Sequence, residues 1–97
     1  MRHFYRTHIP PADVLALADE YFATLGLTRG AVQERARTYT GALGTLTLKV
    51  KPEGGHYTFI DVETDQPGES RLDRNVKRYF VKVHRNADPV HKLEAAY

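Results

Sequence analysis

The residues of this chain with chemistry to offer are five histidines, His3, His8, His56, His84 and His91, set among twelve carboxylates with no cysteine. No two histidines stand three or four apart on a helical stretch, and no His-x-His pair falls on a strand. That spacing builds no metal site. The missing cysteines exclude disulfides, thiolate ligands and cysteine nucleophiles, and they suit a reducing cytoplasm. Asp61, Glu63 and Asp65 alternate on one extended stretch and share a face, a spacing that could serve acid–base work. Lys49 and Lys51 on the preceding stretch offer them cross-strand ion pairs instead. No Gly-x-Ser-x-Gly elbow, phosphate-cradling glycine loop or dinucleotide fingerprint occurs. The inventory points away from an enzyme, and neither a catalytic site nor a metal nor a cofactor is expected.

Binding is what remains, and two groups of residues could carry it. The first is an aromatic set on an open sheet face, Tyr39, Tyr57 and Phe59, rimmed by Arg37, Lys49 and Glu63. Aromatic side chains exposed together mark a surface that finds a partner. A second copy of the chain is the expected one, since twofold dimers are the commonest assembly. A small aromatic or apolar ligand trapped between the two sheets is a variant of the same idea. The second group is Arg71, Arg74, Arg78, Lys82 and Arg85, which fall within roughly a quarter of a helix circumference at 3.6 residues per turn. Five cations on one face could neutralise several phosphates of a nucleic acid, or simply be solvated.

These groups depend on elements that must hold them. The chain has 97 residues, enough for one domain, 1–97, with a single modest core. Net charge is only +2, which argues against an all-over nucleic-acid coat. No apolar run has the length of a membrane span, and Met1 to Arg6 has no continuous apolar stretch of the kind a signal peptide needs. Thr45 to Lys51 alternates strictly, with Leu46, Leu48 and Val50 facing a core and the polar residues facing away. Pro52-Glu53-Gly54-Gly55 turns the chain, and His56 to Thr64 is the next strand. There Ile60 and Val62 point inward, because Asp61 and Glu63 share a face with Tyr57 and Phe59.

The preceding strand is read over Val32 to Thr40, with Thr28 to Thr64 forming three strands in all. A three-residue loop, Ala42-Leu43-Gly44, pairs Thr40 with Leu46, Thr38 with Leu48 and Ala36 with Val50. Arg35, Arg37 and Tyr39 then face outward. A two-residue loop would set arginine against the core, which is costly for an unpaired charge.

Arg2 to His8 reads as a short strand stopped by Pro10-Pro11. A first helix runs from about Pro11 to Leu25, with Val14, Leu17, Ala18, Tyr21, Phe22 and Leu25 on one arc and Asp13, Asp19 and Glu20 outside it. Gly26 is suited to end it in the left-handed conformation. A second helix runs from about Glu69 to Arg85, with Leu72, Val76, Tyr79, Phe80 and Val83 as its apolar stripe. Pro89 to Ala95 could form a last short helix or fray. The sum is an α+β domain of order β-α-β-β-β-α, an antiparallel sheet with two helices on one face. A pocket between the first helix and the sheet would be a third place for a ligand.

From Pro11 onward the order α-β-β-β-α resembles that of double-stranded RNA-binding domains, in which a basic second helix approaches phosphates. The resemblance is one of element order. Their Lys-Lys-x-Ala-Lys cluster is replaced here by Ser70-Arg71-Leu72-Asp73-Arg74, and their Gly-Pro-x-His segment is missing.

Overall fold

The computed structural model describes residues 1–55 and 57–87; His56, His91 and the segment read as a last helix lie outside the described residues. Seven elements follow one another: β1 (Arg2–Thr7), α1 (Pro11–Thr24), β2 (Thr28–Gln33), β3 (Ala36–Gly41), β4 (Gly44–Glu53), β5 (Tyr57–Thr64) and α2 (Arg71–Ala87). The strands form one antiparallel sheet in the order β1-β5-β4-β3-β2. α1 packs over β2, β3 and β4, and α2 packs over β1 and β5. Both helices cover the same face, so the fold is the expected α+β sandwich of two layers.

The core is built where the alternation demands it. Leu46, Leu48 and Val50 of β4 and Ile60 and Val62 of β5 lie inward and are buried. Above them sit Val14, Ala18 and Phe22 of α1 and Leu72, Val76, Tyr79 and Val83 of α2. Leu15 is buried too, whereas Leu17, Tyr21 and Leu25 are only partly covered. The space between α1 and the sheet is thus filled by side chains. α1 starts on Pro11 and gives way to Gly26 at φ 76°, the left-handed residue expected there. α2 opens on a serine N-cap, in which Ser70 Oγ accepts from the Asp73 backbone N–H at 3.1 Å and donates to Asp73 Oδ2 at 2.6 Å.

The sheet has one strand more than the sequence suggests. Val32 to Thr40 is not one strand but the end of β2, a turn at Glu34-Arg35, and most of β3. Gln33 pairs with Ala36 across that turn, and β2 carries a bulge between Arg29 and Val32. The extra hairpin makes the order β-α-β-β-β-β-α, so the element order of double-stranded RNA-binding domains is not kept.

The register of β3 against β4 is also different. Gly41 pairs with Gly44 around a two-residue loop, Tyr39 lies opposite Leu46, and Arg37 lies opposite Leu48. Arg37 and Tyr39 therefore face the helices. The cost of burying arginine is met by partners from elsewhere in the fold. The Arg37 guanidinium donates to the carbonyls of Gln33 and Ala36, and its Nε stands 3.6 Å from Asp19 Oδ1 on α1. A buried charge with a carboxylate and two carbonyls beside it is tolerable where a lone one is not.

Candidate functional site

The open sheet face is where exposed aromatic surface gathers. On β5, alternation puts Tyr57, Phe59, Asp61 and Glu63 outward, as expected. β1 lies beside β5, with Arg2 opposite Glu63, Phe4 opposite Asp61 and Arg6 opposite Phe59. Phe4 thereby comes to stack on Phe59, ring centroids 5.5 Å apart at 26°. His8 lies against Tyr57 at 4.6 Å. Phe4 is 53% exposed and Tyr57 47%, so this corner shows aromatic surface to water.

Two arginines frame the aromatic pair. The Arg2 guanidinium is 5.3 Å from the Phe4 ring and grips Asp61 with two bonds, of 2.9 and 3.2 Å. The Arg6 guanidinium is 4.9 Å from the Phe59 ring and donates to Glu53 at 2.9 Å. Each arginine is held by a carboxylate and by a ring face, which orders long side chains that would otherwise move freely. Lys49 lies opposite Asp61 on β4, but the partner of Asp61 is Arg2.

The expected site therefore changes in part. Tyr57, Phe59, Lys49 and Glu63 are on the open face. Tyr39 and Arg37 are not. Tyr39 is 1% exposed and packs on Phe22 beneath α1, with burial first and its bond to Asp19 second raising its hydroxyl pKa. Phe4, Arg2 and Arg6 take their place. The alternation of Arg2, Phe4 and Arg6 was visible in the sequence. It did not choose a face, because Tyr5 puts an aromatic on the other one.

The basic stripe is also real as a surface. Arg71, Arg74, Arg78 and Arg85 are exposed, and Lys82 is half-buried with its Nζ 6.0 Å from the Tyr21 ring. Among the described residues none of the five has a carboxylate within ion-pair distance.

Among the described residues a serine, a carboxylate and a histidine come together at the start of α2. Asp73 is fully buried and receives Ser70 Oγ on one oxygen, and His3 Nε2 at 2.7 Å and Thr64 Oγ1 at 2.9 Å on the other. The carboxylate stands between serine and histidine, so the His3 ring bonds to Asp73 and not to the Ser70 hydroxyl, unlike the order of a Ser-His-Asp triad. The cluster ties β1 and β5 to the start of α2. Tyr5 Oη and His84 Nδ1 lie 3.1 Å apart, a second tie between β1 and α2. Among the described residues no three His, Asp or Glu side chains converge as a metal site would require, and no helix is long and apolar enough to cross a membrane.

Fold and surface together define a small two-layer α+β domain with an uncovered, partly aromatic sheet face. Comparison with protein-family models gives no match to the chain, and comparison with curated proteins gives no relative.

Proposed function

We propose that the chain is a non-catalytic assembly module that self-associates through the open face of its sheet, centred on Phe4, Tyr57 and Phe59. The observation that carries this reading is the exposed aromatic corner where β1 meets β5. Burying such rings stabilises by about 25 cal/mol for each Å2 of apolar surface removed from water. The charges of the face favour a second copy over a polyanion. Arg2, Arg6, Lys49 and Lys51 stand with Glu53, Asp61 and Glu63, a mixed set that a twofold axis can set against itself. Arg2 and Arg6 enter the contact already neutralised, so little charge has to be buried unpaired. With no cysteine to oxidise, a cytoplasmic setting suits the chain.

Light scattering with sedimentation equilibrium tests the reading. The expected result is a dimer at micromolar concentration, returned to monomer by Tyr57→Asp or Phe4→Asp with the circular-dichroism spectrum unchanged. A monomer at millimolar concentration, or a dimer that both substitutions leave intact, defeats it.

A further inference from the structure

α2 carries six lysines and arginines, Arg71, Arg74, Lys77, Arg78, Lys82 and Arg85, against a single carboxylate, Asp73. That carboxylate is turned inward and occupied by His3, Thr64 and Ser70. Among the described residues Lys77 alone of the six reaches an acid, Glu69, at 3.5 Å. The contrast with other arginines is informative. Arg2, Arg6, Arg29 and Arg37 each have a carboxylate, on Asp61, Glu53 or Asp19. Among the described residues Arg35, Lys49 and Lys51 also lack a carboxylate within ion-pair distance, but only on α2 do five such cations share one helix face.

From these observations we infer that the solvent face of α2 is a docking surface for the phosphate backbone of a nucleic-acid duplex. The five cations run for about 21 Å along the helix, at 1.5 Å per residue. That length spans roughly six base pairs of duplex, with a phosphate for every ~1.7 Å of axis. Four of the five are arginine, whose planar fork meets phosphate oxygens in pairs. A bilayer fits less well. A helix that lies on a membrane inserts a broad apolar face, whereas the apolar stripe of α2, Leu72, Val76, Tyr79 and Val83, is wholly buried in the core and Val81 is the one large apolar side chain the helix leaves exposed. The stripe lies on the helix layer, away from the open sheet face, so this inference stands apart from self-association.

Fluorescence anisotropy of the full chain with labelled RNA and DNA duplexes of about 20 base pairs tests it, since five phosphate contacts predict a log–log salt slope near −4.5. Affinity should then fall several hundred-fold between about 50 and 200 mM salt. Arg74→Gln with Arg78→Gln should flatten the slope to about −2.7, and weaken binding more than tenfold at low salt. Arg35→Glu removes the same net charge at the distant β2–β3 turn and should leave the slope as it was. Circular dichroism of both variants checks that the fold is kept. Three results would overturn the inference: no binding at 50 mM salt, equal losses from the stripe and Arg35 variants, or polyglutamate or phosphatidylserine vesicles displacing the duplex at matched charge.

Discussion

The Tyr39 hydroxyl donates to Asp19 Oδ1 at 2.6 Å, joining the middle of β3 to the body of α1. Arg29 and Arg37 approach the same carboxylate, at 3.0 and 3.6 Å. One acid thus holds three side chains on two strands. Tyr39→Phe removes one bond of this set and should lower unfolding stability by about 1–2 kcal/mol in urea titration. Asp19→Ala strands the Arg37 guanidinium, whose side chain is only 14% exposed, and should cost about 3 kcal/mol. If Asp19→Ala proves no worse than Tyr39→Phe, the carboxylate does not support the arginine.

Gly44 closes the β3–β4 hairpin at φ 127°, where side chains are rare. A Cβ there would also stand 2.7 Å from Asp65 Oδ1 and Gln66 Nε2. Asp65 accepts the Thr45 N–H at 3.0 Å, the chief reason its carboxyl pKa is lowered, with a further bond from Gln66. Gly44→Ala should therefore cost about 2 kcal/mol in the same titration, from strain and a displaced Asp65. Ala42→Gly, in the loop itself, should change stability by less than about 1 kcal/mol.

Acid should loosen the tie between β1 and α2. Burial pushes the Asp73 carboxyl up, but hydrogen bonds from Ser70, His3 and Thr64 outweigh it and hold the group down at about 2. A carboxyl lowered in the folded state adds stability that is complete above its ordinary range near pH 4. That stability, about 2 kcal/mol, is lost as pH falls through about 2. Urea midpoints measured from pH 5 to 2 should drop for the parent chain and drop less for Asp73→Asn. Parallel curves for the two would assign the acid loss to other groups.

Salt should separate the two proposed surfaces. The arginines of the sheet face are neutralised within their own protomer by Asp61 and Glu53. Dimerisation then rests on aromatic burial, and its Kd should move less than about threefold between 50 and 500 mM salt. Sedimentation across that range provides the measurement. A dimer that dissolves in salt would place its energy in Lys49, Lys51 and Glu63 instead.

Much of the fold is legible without coordinates. The strict alternation of Thr45 to Lys51 and the helical spacing of Leu72, Val76, Tyr79 and Val83 are local signals that name their own buried faces, and Gly26 is a local signal for a helix end. The same holds for Tyr57 and Phe59, because Asp61 and Glu63 travel with them and an unpaired carboxylate is turned toward water. The inward turn of Arg37 and Tyr39 is different in kind. It depends on Asp19 of α1, eighteen and twenty residues earlier in the sequence, and hydrophobic patterning within a strand cannot register a partner that another element supplies. The placement of β1 beside β5 likewise came only with tertiary structure. Phe4 gains its place in the aromatic corner from that pairing, because a strand with one aromatic on each face takes its orientation from the neighbour that receives it.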